Sequence, residues 1–451
     1  MSKDKSNVVS LYRIKSQGAN KYAISLPRRL YKASQPIAVF KLGQLKIRVR
    51  CFPNKTLNKV GLSKNLIKKC GIDEDISCNL KTNGPVLHFG PVIGIFVTKR
   101  RIQQLVKKQS PTFRDIETVK ANTSAKTLIY YFSIEDVRLP EKKVVGTWFN
   151  PRSEKWERSN FPLMDILYDK CSRRISRKSK KHEAIRKRFH QMSIPSINAQ
   201  HYFDKWDLHQ KLSKYEVMKP HLPKTKLFNF QELKKMLYES PVVYLKASIG
   251  SMGCRVMRIE KREDGQYEYS YFRKILVQGL KKDFSDLYPV IKSFFGEDLL
   301  LMQHGIRTVQ IGGRNVDMRA TLQRNGKGEV EINSIAVRLG VKGCPITSTR
   351  SGSKVLCLDD FLKKFGKHFP NTTRNKMDKF LIKVYKCIER SYGPFGEMGI
   401  DFTLDEKGQL YLIESNSKPA KDSLYKTYDK ETIHKAFLNP LNYAKFLARF
   451  Q

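Results

Sequence analysis

Met398-Gly-Ile-Asp-Phe-Thr-Leu404 and Gly408-Gln-Leu-Tyr-Leu-Ile-Glu-Ser-Asn416 read as two strands of a β-hairpin joined through Asp405-Glu-Lys-Gly408. A turn centred between Lys407 and Gly408 places Asp401 opposite Glu414. Side chains alternate along a strand, so Glu414 and Asn416 share a face. Asp401, Glu414 and Asn416 then form one oxygen-rich cluster, the donor set that Mg²⁺ prefers. Two adjacent carboxylates repel unless a cation stands between them. The alternative is a frayed strand end in water.

Two upstream segments carry matching charge. Val242-Val-Tyr-Leu-Lys246 is a strand ending in a lysine, and the loop behind it holds Ser248, Gly250, Ser251 and Gly253 before a second strand starts at Arg255. Such a loop can lay backbone N–H groups on phosphates while the lysine neutralises their charge. It is not a Walker A loop, because no G-K-[ST] opens a helix. The alternative is a plain hairpin tip. Asp317-Met-Arg-Ala-Thr-Leu-Gln323 puts Asp317 and Arg319 on one strand face, and the next strand carries Arg338 among apolar residues. Guanidinium groups there suit phosphate; the alternative is a surface pair between Asp317 and Arg319.

The 451 residues hold 86 Lys+Arg against 42 Asp+Glu, a net charge of +44. Residues 1–200 account for +28 and residues 201–451 for +16. The densest run, Arg173 to Arg188, has nine basic residues opposed by Glu183 alone. It reads as a polyanion patch or as a solvated helix face or linker. Base-stacking aromatics are sparse there, and no nucleic-acid-reading motif stands out, so nucleic acid ranks last among the polyanions. The most apolar stretch, Pro91 to Val97, is too short to cross a bilayer. The sequence from Met1 lacks a signal-peptide core, which sets a cytoplasmic expectation. The eight cysteines form no C-x-x-C pair and read as ordinary thiols.

Along the chain, residues 7–85 read as a small β-rich unit, with period-2 alternation in Leu45 to Cys51 and a short helix to Cys70 capped by Ser63. Pro91 to Val97 reads as a strand buried on both faces, opening an α/β unit over 86–195. Helices over 202–212 and 229–239 precede the strands and hairpins of the remaining chain.

The order of these motifs resembles the ATP-grasp superfamily and, more narrowly, the YheC/YheD endospore coat-associated family, on its YheD-like branch. The resemblance is carried by Gly90-Pro-Val-Ile-Gly94, Phe203-Asp-Lys-Trp206, Asp317-Met-Arg319, Ile335-Ala-Val-Arg-Leu-Gly340, Gly396-Glu-Met-Gly-Ile-Asp401 and Ile413-Glu-Ser-Asn-Ser-Lys-Pro419. It implies an α+β chain: a β-rich domain over 1–85, an α/β domain over 86–195 ending in the basic segment, and an ATP-grasp domain over 196–451. It further implies ATP and Mg²⁺ as cofactors. Lys205 and Lys246 would contact phosphates or adenine, and the loop with Ser248, Gly250, Ser251 and Gly253 would close over the phosphates. Gln303 and Ile306 would line the adenine hinge, and Asp401, Glu414 and Asn416 would bind the metal. Arg319 and Arg338 would face the γ-phosphate or an acyl group. The chain departs from the superfamily pattern at Ala247, where proline is common, and at Ser348 and Ser353, in a segment that keeps Thr347 and Gly352.

The implied reaction is carboxylate–amine ligation through an acyl phosphate during sporulation. The implied location is the mother-cell cytoplasm, at the forespore or spore coat. Partners would be ATP, a carboxylate and an amine, with acidic coat proteins or an anionic surface docking on the basic region. A different class of reading is a nucleotide-binding structural or targeting protein of the coat that performs no ligation.

Overall fold

The computed structural model describes residues 7–14, 22–32, 37–72, 75–171, 180–250, 255–348, 351–366, 369–370 and 372–450. Ser251, Gly253, Cys254, the first six residues and the basic residues Arg173, Arg174, Arg177 and Lys178 lie outside them. The chain divides into two compact units. One comprises residues 1–201, 323–329 and 433–451; the other comprises residues 202–322 and 330–432.

The first unit begins with a closed barrel. Its strands follow the order Asn7–Ile14, Lys59–Ser63, Ala23–Pro27, Leu45–Asn54, Ile37–Leu42, Val86–Gly90 and Ser77–Asn83. Alternation decides which side chains fill it: Ala38, Phe40 and Leu42 are buried, while Val39 and Lys41 between them point outward. Phe40 stacks on Phe89 with ring centroids 5.1 Å apart. The helix Lys64–Cys70 starts at Ser63 and ends on Gly71 in the left-handed region at φ 68°.

A Cβ at Gly71 would stand 2.1 Å from the Asn160 carbonyl oxygen. Gly71→Ala is therefore expected to destabilise the chain by roughly 2–4 kcal/mol in urea unfolding, combining left-handed strain with a backbone clash. Gly84→Ala, at φ +54° with open space around it, should lose only about 1 kcal/mol.

The unit's second sheet has the order Val137–Arg138, Lys143–Asn150, Leu128–Phe132, Val92–Phe96 and Ile166–Asp169, with Lys155–Pro162 paired to Lys143–Asn150. Val92–Phe96 has parallel neighbours on both sides, and all five of its residues are buried. That explains its uninterrupted apolar sequence.

Among the described residues, the second unit has two six-stranded sheets. One runs Thr225–Leu227, Leu300–His304, Val242–Ala247, Val256–Lys261, Tyr267–Phe272 and Leu276–Lys281. Leu233, Met236 and Leu237 of the helix Phe230–Glu239, and Ile291 and Phe295 of Leu287–Phe295, pack with its apolar residues. The other runs Lys354–Cys357, Val330–Leu339, Arg314–Arg324, Glu397–Leu404 and Leu410–Asn416, with Gln310–Ile311 paired to Arg314–Arg324. The helix Thr373–Tyr392 buries Met377, Leu381, Val384 and Ile388, one stripe at helical spacing, in the same core as Met398, Ile400 and Phe402. The outcome is the mixed α and β class expected from sequence. No helix among the described residues is long and apolar enough to cross a membrane.

Candidate functional site

Four adjacent strands of the second sheet carry the charged groups. Arg338 lies on Val330–Leu339, Asp317 and Arg319 on Arg314–Arg324, Asp401 on Glu397–Leu404, and Glu414 and Asn416 on Leu410–Asn416. Asp401 does stand opposite Glu414, but the register that puts it there contains an irregularity. Leu404 pairs with Leu410, and the pairing slips by one between Asp401 and Phe402. Continued without the slip, the turn-side register would set Asp401 opposite Ile413. A bulge of this kind re-aims a side chain, and here it brings the second carboxylate to the first.

Each carboxylate has its own cationic partners. The Arg338 guanidinium holds Asp317 with two hydrogen bonds, 2.6 and 2.7 Å. Its Nη2 also reaches Asp401 Oδ1 at 3.1 Å. Arg319 donates from Nε and Nη2 to the two oxygens of Asp401. Thr347 Oγ1 donates to Asp317. The expected alternative, a surface pair between Asp317 and Arg319, is replaced by crossed pairing with neighbouring strands. Burial alone would raise the Asp401 carboxyl, but Arg319 and Arg338 outweigh it and hold it below the ordinary range. Asp317 is raised, because burial exceeds the pull of Arg338.

Lys246 and Tyr244 point the same way from Val242–Ala247, as alternation requires. Lys246 Nζ donates to Gln303 Oε1, and Gln303 Nε2 in turn donates to Thr225 Oγ1 at 3.0 Å. Burial pushes the Lys246 ammonium down to about 8; Glu414 works against that shift, and Lys205 adds to it. Lys205 opens the helix Lys205–Leu212, whose cap is the Asp204 carboxylate accepting from Trp206 N and Asp207 N at 2.9 and 3.1 Å. Lys205 Nζ donates to the Gly250 carbonyl at 2.7 Å and lies 3.5 Å from Glu414 Oε1.

These side chains meet at one cavity of about 200 Å³. Lys205, Lys246, Gly250, Gln303, Ile306, Arg319, Arg338, Asp401, Glu414 and Asn416 line it. Ser248 does not. It is fully buried, its hydroxyl lies 2.7 Å from either oxygen of Asp204, and its carbonyl accepts from Lys205 N. It ties the glycine-loop strand to the Lys205 helix. Asp317, Thr347 and Tyr244 also line the cavity and were not among the residues selected from sequence. Alternation from Lys246 would have found Tyr244, the D-x-R pattern contained Asp317, and Thr347 stood in the segment noted for keeping the superfamily's threonine.

The oxygen set fits a hard cation. Glu414 and Asn416 face the cavity, and Asp401 Oδ2 accepts one hydrogen bond, from Arg319, leaving a lone pair for a metal. Among the described residues no group of three or more His, Cys, Asp or Glu side chains gathers at one point. A cation here therefore draws on Asn416 and on ligand oxygens as well.

Residues 193–447 match the family described as YheC/D like ATP-grasp. The chain is similar to the endospore coat-associated protein YheD of Bacillus subtilis (strain 168), 23% identical over 365 residues, covering 80% of this chain and 79% of the relative. It is also similar to YheC of the same organism, 22% identical over 320 residues, covering 70% and 87%. Among solved structures, D-cycloserine synthetase DcsG matches at a TM-score of 0.47 and 10% identity, over 79% of this chain and 99% of that one. VanG D-Ala:D-Ser ligase from Enterococcus faecalis matches at 0.47 and 11%, over 80% and 100%.

Proposed function

The chain belongs to the YheC/D-like ATP-grasp family, and from that premise we propose that it is an endospore coat-associated ligase that uses ATP and Mg²⁺ to join a carboxylate to an amine. The observation that carries this reading is the convergence of Lys205, Lys246, Arg319, Arg338, Asp401, Glu414 and Asn416 on one cavity. Lys246 and Lys205 hold the polyphosphate as point charges, while Gln303 and Ile306 bound the adenine. Asp401, Glu414 and Asn416 hold Mg²⁺, which when bound neutralises charge on the transferring phosphate. Arg319 and Arg338 are locked by Asp317 and Asp401, so their charge is preorganised where a phosphoryl group would develop negative charge.

In the proposed sequence, a substrate carboxylate oxygen takes the γ-phosphoryl group and ADP leaves. The amine nitrogen then attacks the acyl carbon, phosphate departs, and a proton is lost from nitrogen to leave the amide. The chain's contribution is positioning and charge stabilisation. The basic first 200 residues are proposed as the docking region for an acidic coat layer or anionic surface, in the mother-cell cytoplasm at the forespore.

The test is ADP release by the purified full chain with Mg²⁺, ATP and a panel of amino acids and peptides. Acceptor-dependent ADP release supports ligation. Stoichiometric nucleotide binding with no ADP release under any acceptor favours the second reading, a nucleotide-binding structural protein of the coat. The feature favouring that second reading is the self-neutralised state of Asp401, already held by two arginines.

A pH dependence follows from Lys246. Burial, reinforced by Lys205 and opposed by Glu414 and Asp401, lowers it to about 8, and a polyphosphate binds best when it is charged. Affinity for a non-hydrolysable ATP analogue should fall above pH 8, by at most about tenfold per unit. Lys246→Arg, always charged, should flatten the profile. Calorimetric titration from pH 7 to 9.5 reads both; superimposable profiles would count against the assignment.

A further inference from the structure

The outer face of the N-terminal barrel holds a cleft that the nucleotide reading does not use. Cross-strand register builds it. Lys46 stands opposite Lys41, Lys41 opposite His88, and His88 opposite Lys81. Directly opposed residues share a face, so the four side chains form one row across four neighbouring strands, about 14 Å long at the usual strand spacing. Like charges placed directly opposite one another destabilise a sheet, yet lysine faces lysine here. The row is also sheltered: Lys81 is buried, and Lys41 and His88 are partly buried.

One residue pair further along, Val39 stands opposite Val86, and Asn83 opposite Val86 on its other side. The cleft thus has an apolar floor beside its cationic row. Its volume is about 420 Å³, and among the described residues no acidic side chain lines it. The neighbouring carboxylate, Asp165, is buried and already engaged: Oδ2 accepts from Val92 N at 2.8 Å, and Oδ1 lies 2.9 Å from His88 Nε2 and 3.9 Å from Lys41 Nζ. Burial lowers the Lys41 pKa despite Asp165, and Lys46 and Lys81 lower it further. An anion seated in the row would offset the repulsion that Lys46 and Lys81 exert on Lys41.

We propose that this cleft is a binding site for a compact organic anion, whose phosphate or carboxylate groups sit among Lys41, Lys46 and Lys81 and whose apolar part rests on Val39 and Val86. The volume lies within the range of small-molecule sites. Among the described residues no Phe, Tyr or Trp side chain lines the cleft, so it lacks the broad stacking rings that single-stranded nucleic acid uses. The site is independent of the nucleotide cavity and stands whether or not that cavity performs ligation.

The test is calorimetric titration of the full chain with inorganic phosphate and, separately, with citrate, at ionic strength held constant with sodium chloride. Each is repeated on Lys46→Glu, a substitution at an exposed position, and on Lys41→Gln. Saturable binding of either anion, weakened about tenfold or more in Lys46→Glu while affinity for an ATP analogue stays unchanged, is the expected result. The anion that binds tighter identifies the head group. No saturable binding, a smaller effect of Lys46→Glu, or full displacement of the anion by the ATP analogue overturns the proposal. Binding of oligoglutamate or DNA sensitive to Lys46→Glu, with neither small anion bound, also overturns it, in favour of a macromolecular partner.

Discussion

Arg338→Met is expected to lower the stability of the unit that contains it by about 3–5 kcal/mol, the loss typical when one member of a buried ion pair is removed. The guanidinium makes both hydrogen bonds to Asp317 and a third to Asp401. Methionine fills similar space but leaves Asp317 without its cation in a buried setting. Burial already raises the Asp317 carboxyl, and loss of Arg338 would raise it further. A carboxyl whose folded pKa exceeds its unfolded one favours the folded state at low pH and loses that advantage as pH rises through the folded value. The deficit of Arg338→Met should therefore shrink on acidification. Asp317→Asn added to Arg338→Met should recover part of the loss at neutral pH. The measurement is urea unfolding of the transition that an ATP analogue shifts. A deficit independent of pH and of Asp317→Asn would show that the network is not what Arg338 supports.

Glu414→Ala is expected to reduce acceptor-dependent ADP release about 10²–10³-fold, the scale seen when one preorganised electrostatic group is lost from an active site. Glu414 is chosen over Asp401 because the arginines already hold Asp401, whereas the ion-pair partner of Glu414 is a lysine 3.5 Å away. Metal-free ATP analogue should bind Glu414→Ala as well as wild type or better, since a negative charge has left a polyphosphate site. The gain in affinity that Mg²⁺ confers on the wild type should disappear. Equal ADP release by the two proteins would remove Glu414 from the proposed machinery.

The limits of sequence reading here are physical. Alternation placed Glu414 with Asn416 and Asp317 with Arg319 on shared strand faces, because period 2 is a property of the backbone. The partners of those charges are set by strand order, which no local pattern encodes. Asp317 therefore pairs with Arg338 across a strand boundary and not with Arg319 two residues away. Hairpin arithmetic reached the facing of Asp401 and Glu414 through a turn centre half a residue off, and the slip beside Asp401 supplied the difference. The barrel's cationic row was illegible for the same reason as the Asp317 pairing. Lys41, Lys46, Lys81 and His88 are dispersed over 48 positions and meet only through closure. Their contribution to the excess charge was hidden behind the denser run at 173–188.

The composition of the first unit from residues 1–201, 323–329 and 433–451 has a consequence for biosynthesis. The barrel strands leave the ribosome early, but the last segment of their unit follows more than two hundred residues later. At about 5–20 residues per second, that is a delay of roughly ten seconds or more. Through that interval the early strands lack their final packing partners, while the intervening unit is being made. Its completion is thus timed by translation of the 433–450 stretch, which makes a stall or a chaperone acting in that window a control point on yield.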